Sequence, residues 1–349
     1  VNSIALEFQT YRSSSSCHPL FFHGDAHSTL IKLPDHSIDF CMTSPPYWNK
    51  REYENGGIGQ EQKFEEYQAQ LLLIFAQIKR VLKDTGSFWL NLGDSYQGKA
   101  LAGVPWRIAL ALIDEQGWAL RNDVIWSKLK GLDNAKDKLR NTHEYIFHFI
   151  KKTKDFYYNL DAIRHKPRTT GVKNGAIVSA TGVTGIRYKR QIELSTALNS
   201  DEKQAALQAL EQMLMRIVKG EISDFRMVIR KQQRTTHSDS ERLSGRAKEL
   251  AQKGFYFLQY HPNGSKPSDV WDIIPEDTTH RENHYAVYPE DLCKIPLLAT
   301  CPEGGIALDP FCGTGTTNLV AMQLGRKSVG IDLSEQYIKT AQRRCEFLI

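Results

Sequence analysis

Two hydrophobic periods alternate along the first 160 residues. Short apolar runs at residues 20–23, 39–42, 87–92, 124–126 and 145–150 have strand length and end at Gly, Pro, Asp or polar turns. Between them Phe64, Tyr67, Leu71, Ile74, Phe75, Ile78, Val81 and Leu82 recur at 3–4 spacing, which predicts an amphipathic helix stopped by Asp84-Thr85-Gly86. Gly24-Asp25 leads into a short helix reaching Leu33, while Pro105 opens another helix and Gly117 closes it. The rhythm returns at the far end, where residues 306–308 and the run ending in Gly330-Ile331-Asp332 read as strands. A glycine-rich turn and a helix separate them, and a further helix begins near Ser334. Strands alternating with helices predict a doubly wound α/β sheet.

The middle of the chain breaks this pattern. Residues 165–198 are rich in Gly, Thr, Lys and Arg and lack periodicity. A helix follows over about 201–218, whose stripe of Leu207, Leu210, Met213, Leu214 and Ile217 reads as core. Arg226, Arg230, Lys231, Arg234, Arg242, Arg246 and Lys248 then punctuate a polar stretch. Between residues 165 and 250, 16 Lys and Arg face 9 Asp and Glu, so this segment carries +7 of a chain total of +5 and the remainder is −2. A basic insert between nearly neutral ends suits an anionic partner, and a solvated basic face would look the same.

Composition narrows the class. At 349 residues, 41% hydrophobic and 24% charged, the chain can bury a sizeable core. No stretch approaches the roughly 18 apolar residues of a membrane span. The first 16 residues are polar, without the basic-then-apolar order of a secretory signal. Six cysteines are scattered with no CxxC pair and no metal spacing, so free thiols in a reducing cytoplasm are expected.

Two stretches carry chemistry. Thr43-Ser44-Pro45-Pro46-Tyr47-Trp48 follows a buried strand. Neither proline has an N–H to continue a ladder, and both rings hold φ near −65°. A stiff loop results, with a hydroxyl, a backbone carbonyl and an aromatic face in fixed relation. Such a loop suits a planar amine: Ser44 Oγ and the Pro45 carbonyl accept its protons, and Tyr47 stacks on its ring. The second stretch, residues 309–317, reads Asp-Pro-Phe-Cys-Gly-Thr-Gly-Thr-Thr. It lacks the Gly-Lys-Ser/Thr of a phosphate loop, and Asn318 stands where a dinucleotide fingerprint needs its third glycine. A ligand without pyrophosphate is therefore favoured. Asp332 lies 19 positions after Gly313, the spacing of an acid on ribose hydroxyls; capping the helix at Ser334-Glu335 is its other use. Asp25, at the end of the first strand, is either a ligand acceptor or a turn residue.

Together these stretches resemble the S-adenosylmethionine-dependent DNA amino-methyltransferases, the first as the (S/N/D)PP(Y/F/W) catalytic loop and the second as the DPFxGxGTT cofactor loop. The catalytic half comes first, the permuted order of the β group, and the likeness spans both ends of the chain. It implies a Rossmann-like methyltransferase sheet built from residues 1–164 and 261–349, with a target-recognition insert at 165–260. Ser44, Pro45, Pro46 and Tyr47 would form the catalytic loop. Asp25, Asp309, Phe311, Gly313, Thr314, Gly315, Thr316 and Asp332 would bind S-adenosylmethionine. In this reading Asp25 meets the adenine amine, Asp309 the ammonium and Phe311 the sulfonium, with Thr314, Thr316 and the helix start at the carboxylate. Arg187, Lys189, Arg190, Arg230, Lys231 and Arg234 are the candidate DNA contacts. The segment Ser268–Ile273 and the helix-opening run His284–Leu292 also match the family, whereas Lys130–Asn134 departs from its Asn-x-x-Pro.

In the resembled family a Ser-first loop goes mostly with cytosine N4 and an Asp-first loop with adenine N6. The expectation is a site-specific N4-cytosine methyltransferase that flips its base between Tyr47 and Trp48. It would act on duplex DNA in the cytoplasm, at the nucleoid, as a monomer or homodimer, beside a restriction endonuclease and without a metal. Residues 49–62, polar and rich in glycine, would close over the base. N6-adenine methylation and a non-catalytic binding module are the rival readings.

Overall fold

The computed structural model describes residues 3–50, 57–128, 135–167, 171–173, 176–178, 185–231, 245–275 and 288–346. The chain divides into two compact units, one formed by Val1–Ala162 with Ser268–Ile349 and the other by Ile163–Pro267.

The first unit begins with α1 (Ser3–Ser13), β1 (Leu20–His23), α2 (Ala26–Leu30), β2 (Ile38–Thr43), α3 (Phe64–Val81) and β3 (Leu82–Leu92). A small ribbon of β4 (Tyr96–Gln97) and β5 (Ala100–Leu101), then α4 (Val104–Asp114), β6 (Ala119–Ser127) and β7 (His143–Ile150) follow. The second unit holds β8 (Gly171–Lys173), β9 (Ala176–Val178), α5 (Gly185–Glu193), α6 (Ser200–Val218), β10 (Asp224–Ile229), α7 (Gly245–Lys253) and β11 (Phe255–Tyr260). The chain then returns with β12 (Val270–Asp272), α8 (Glu290–Thr300), β13 (Ile306–Asp309), α9 (Thr316–Gln323), β14 (Lys327–Asp332) and α10 (Glu335–Glu346). No helix among the described residues is long and apolar enough to cross a membrane.

The first unit is built on one eight-stranded sheet, ordered β1-β14-β13-β2-β3-β7-β6-β12. All neighbouring pairs are parallel except those of β7, which runs against both β3 and β6. The sheet is therefore mixed, where alternation alone predicted strands without direction. Both faces are covered, so the strands read as continuous apolar runs: all six residues of β2 are buried. Cys41, Phe88, Leu90, Phe147 and Phe149 join the core under α1 to α4, while Phe40, Met42, Trp89 and Ile146 join the core under α8 and α9. The decisive pairing is β13 beside β2, with Ala307 opposite Phe40 and Leu308 opposite Cys41. The strands that carry the two motifs are adjacent and parallel, so both loops leave the sheet at one edge.

One element lay hidden in the polar start of the chain. α1 buries Phe8, and the ammonium of Lys327 donates to its last carbonyls, Tyr11 O at 3.3 Å and Arg12 O at 2.8 Å.

In the second unit β10 and β11 pair antiparallel, and α5 and α6 share their core. Tyr188, Ile192, Leu210, Phe225, Met227 and Phe255 are buried there. α6 starts with a capping box: the Asn199 side chain accepts from Glu202 N at 2.8 Å, and Glu202 Oε2 accepts from Asn199 N at 2.9 Å.

Candidate active site

The Ser44 loop leaves β2 at the C-terminal edge of the sheet. Its last strand residue, Thr43, donates to Asp309 Oδ1 at 2.6 Å, so the two motifs are tied to each other at their first residues. Ser44 donates to the Tyr47 hydroxyl at 3.1 Å, and that hydroxyl donates to Glu144 Oε2 at 2.8 Å. Asn91 Nδ2 reaches the same carboxylate oxygen at 3.1 Å, and Lys128 Nζ bonds Oε1. Burial, and then the charge of Glu144, pushes the Tyr47 phenol well up, so it stays protonated. Gly93 makes room for this arrangement: a Cβ there would lie 2.7 Å from Tyr47 Cε2 and 3.1 Å from Glu144 Oε1. Tyr67 donates to the Pro46 carbonyl at 2.9 Å. No donor among the described residues is placed on the Pro45 carbonyl.

Trp48, expected as a second stacking surface, is instead part of the core. Its side chain is 1% exposed, packs edge-on against Phe64, and donates its indole N–H to Glu61 O at 2.9 Å. An indole held this way has no face to offer a base. Of the closing loop, residues 51–56 lie outside the described residues. Its flanks are tied together, Asn49 N donating to Gly59 O at 2.9 Å.

The second loop turns at Gly313 and Gly315, both in the left-handed region at φ +50° and +76°. They do different work. A Cβ on Gly315 would meet Ala341 Cβ at 2.8 Å and Phe21 Cζ at 3.3 Å, so this glycine lets α10 and β1 pack close. A Cβ on Gly313 would meet nothing within 4 Å, so its space is open to a ligand. Asp332, two strands away from β2, accepts from Gly313 N at 2.8 Å and from Ser334 N at 2.9 Å. It braces the loop and caps the start of α10 together; burial raises its carboxyl pKa, against those N–H donors.

Asp309 is 2% exposed: Thr43 and Phe311 N donate to Oδ1, while the Tyr288 and Thr317 hydroxyls, bonded to each other, both lie on Oδ2. Burial pushes its pKa up to about 6, and the donors hold it from rising further. Held by two donors on Oδ1 and by the Tyr288–Thr317 pair on Oδ2, the carboxylate acts first as the knot of the site, and an ammonium would meet it through water or by displacing a donor. Arg344 was not foreseen. From α10 it donates to the Thr314 carbonyl at 2.8 Å, Thr314 Oγ1 at 2.9 Å and Thr316 Oγ1 at 3.1 Å, fixing both hydroxyls. Phe311 is half-buried against the core, and Asp25 is exposed and caps α2 through Ser28 N at 2.8 Å. The thiols beside the loop, Cys41 and Cys312, are pushed well up by burial and are inert as nucleophiles.

Glu144, Asn91, Lys128 and Arg344 escaped the sequence reading, whereas Tyr288 belongs to the helix-opening run that matched the family. Glu144 left a signal: a lone acid inside the apolar run of β7, which ends 8% exposed. The others form pairs across long separations that no local pattern marks.

In the second unit Arg187, Lys189 and Arg190 stand exposed on α5, and Lys231 is exposed in a turn at φ +61°. Arg230 is committed internally, against the expectation that it meets DNA. Its guanidinium holds both Glu202 oxygens at 2.8 Å and the carbonyls of Ala197 and Ala251. Arg234, the residues 129–134 that include the departing Lys130–Asn134 segment, and residues 284–287 of the helix-opening motif lie outside the described residues.

A hydroxyl loop and an open glycine loop on adjacent strands agree with what comparison shows. Residues 38–343 match the DNA methylase family model of N6 and N4 amino-methyltransferases. The chain belongs to this family. It is 31% identical to the Type II methyltransferase M.SfiI of Streptomyces fimbriatus, over 90% of this chain and 88% of that protein. The PvuII DNA methyltransferase (cytosine-N4-specific) superposes with a TM-score of 0.56 at 16% identity, covering 94% of this chain and 86% of that one. A putative DNA modification methylase of Thermus thermophilus, complexed with S-adenosyl-L-methionine, gives 0.51 at 18% identity over 95% of each chain. These two show the fold of the first unit's class. The family makes this chain a DNA methyltransferase that draws its methyl group from S-adenosylmethionine. The open space at Gly313, whose N–H is held by Asp332 at 2.8 Å, leaves room for that cofactor.

Proposed function

We propose that this methyltransferase modifies the exocyclic N4 of cytosine in one short duplex sequence, as the modification partner of a restriction endonuclease. The observation that carries the reading is the Ser44 hydroxyl at the end of β2, beside the cofactor strand β13. Its proton is committed to Tyr47, which leaves its oxygen lone pairs to accept an amine N–H. The Pro45 carbonyl takes the second N–H. Two acceptors on a nitrogen whose lone pair is delocalised into a ring favour its pyramidal, nucleophilic form as the transition state develops. The Tyr47 ring, anchored through its hydroxyl, stacks on a base extruded from the duplex.

The second loop holds the cofactor by its ends. Gly313 admits close approach, and Asp332 keeps acceptor capacity for ribose hydroxyls beyond its two backbone partners. The Thr314 and Thr316 hydroxyls and the opening N–H groups of α9 meet the carboxylate. Phe311 borders the sulfonium, Asp309 meets the ammonium through water, and exposed Asp25 reaches the adenine amine. The exposed cations of α5 and Lys231 meet phosphates.

Sequencing of modified bases in DNA from cells expressing the protein, with mass spectrometry of its nucleosides, tests the reading. N4-methylcytosine in one motif is expected. N6-methyladenine would keep the mechanism and overturn the base assignment, and unmodified DNA would overturn the function.

A further inference from the structure

Methylation of an exocyclic amine leaves a proton to be removed. The nitrogen begins with two hydrogens and a neutral ring; as the N–C bond forms, positive charge grows on it unless one N–H bond breaks at the same time. The Ser44–Tyr47–Glu144 chain is built to take that proton. Its donors and acceptors all point one way, Ser44 to the Tyr47 hydroxyl at 3.1 Å and that hydroxyl to Glu144 Oε2 at 2.8 Å. Asn91 Oδ1 also lies 3.3 Å from the Tyr47 oxygen, but a phenol has one proton and the shorter contact takes it.

We propose that Glu144 is the terminal proton acceptor of methyl transfer, reached through Tyr47 and Ser44. The inference rests on Ser44 as acceptor of the target amine. As the N–C bond forms from the nitrogen lone pair, the C–S pair stays on sulfur and the sulfonium becomes a neutral thioether. One N–H bond breaks in the same transition state, its pair returning to nitrogen. That proton passes to Ser44 Oγ as the serine proton passes to the Tyr47 oxygen and the tyrosine proton to Glu144 Oε2. Serine and tyrosine end neutral, and the carboxylate ends as a carboxylic acid. Nothing else is consumed.

Three features of the surroundings serve this role. The raised Tyr47 pKa makes a lasting phenolate costly, so the phenol relays a proton without holding the charge. Lys128 is bonded to Oε1, and its side chain, 27% exposed, gives the carboxyl group a hydrogen-bonded path to solvent. Asn91 and the missing Cβ of Gly93 fix the carboxylate and the ring in line. Glu144 meets Ser44 only through Tyr47, so its effect should fall on rate and not on binding.

The test is single-turnover methylation of a duplex bearing the recognised sequence, for the wild type, Glu144→Gln and Tyr47→Phe, in H₂O and in D₂O across pH. Both variants should lose about 10²-fold in rate, the lower end of general-base catalysis, and Glu144→Gln should keep wild-type affinities for cofactor and DNA. Their residual rate should climb with pH as hydroxide takes over, and the wild type should turn over more slowly in D₂O. Wild-type rates in the variants would overturn the relay. So would equal wild-type rates in the two solvents, a result that stands even if neither variant folds. A wild type that leaves DNA unmethylated defeats the proposed function; methylation without the solvent isotope effect defeats the relay alone.

Discussion

Thr43 and Asp309 are 266 positions apart in the chain and 2.6 Å apart in the fold, hydroxyl to carboxylate, fully out of water. The bond closes the site: it joins the last residue of the catalytic strand to the first residue of the cofactor loop. On Oδ1 the remaining donor is Phe311 N, and the Tyr288 and Thr317 hydroxyls lie on the other oxygen. Thr43→Val keeps the shape and removes the donor. Leaving a buried carboxylate position unpaired costs about 1–3 kcal/mol, so thermal unfolding should shift down and S-adenosylmethionine binding should weaken with it. Thr43→Ser should restore both in calorimetry, which separates the lost hydroxyl from a lost methyl contact.

The two glycines of the cofactor loop should come apart under substitution. Gly313→Ala carries a left-handed penalty of about 1–2 kcal/mol and no clash, so the fold should survive while the methyl fills the space meant for cofactor. Gly315→Ala carries the same penalty plus a 2.8 Å approach to Ala341, adding overpacking of about 1–3 kcal/mol. Unfolding curves should therefore place Gly315→Ala well below Gly313→Ala. Titration calorimetry should show cofactor binding lost in the Gly313 variant while it is still folded at the working temperature.

Much of this arrangement was legible before any coordinates. Apolar run length placed β2, β13 and β14, and the two motifs at their ends pointed to one edge. Direction was not legible, because burial on both faces makes β7 look like its parallel neighbours; only pairing to β3 and β6 shows it reversed. Helix α1 was missed because its single buried anchor, Phe8, gives no stripe, and its end is held by Lys327, far along the chain. Arg230 looked like its exposed basic neighbours until Glu202, 28 positions before it, was found to hold it. Charge counts a cation without saying whether it is already spent.

That distinction predicts two classes of arginine in the inserted unit. Replacing Arg187, Lys189 and Arg190 together by alanine should weaken DNA binding at every sequence tested. If all three meet phosphates, the slope of log affinity against log salt should shrink by about 0.9 for each. Arg230→Lys breaks the two-pronged grip on Glu202, so it should lower the unfolding temperature of the protein and leave the salt slope unchanged. A reduced salt slope in Arg230→Lys, read by fluorescence anisotropy, would return that arginine to the DNA surface.

Acid sensitivity should come from His148, a residue of the core with no part in the chemistry. It stacks on Trp89 at 4.1 Å and bonds Ser87 Oγ at 2.9 Å, and burial, then the charge of Arg121, lowers its pKa to about 3. The unfolded chain titrates this group near 6.5, so between those values the unfolded state binds the extra proton. The contribution is whole above pH ~6.5 and is lost as pH falls toward 3, at about 1.4 kcal/mol for each unit. Asp309 works in the opposite sense. Its raised folded pKa of about 6 means the native state gains that proton first, so acidification between about 6 and 4 relieves its burial. In that window the two oppose each other, and the raised carboxyl of Asp332 acts on the side of Asp309. Denaturant unfolding of wild type and His148→Phe from pH 8 to pH 4 should resolve them: the gap between the two should be constant above pH ~6.5 and move against the wild type below it. A gap that stays constant down to pH 4 would mean the imidazole takes its proton without leaving the core.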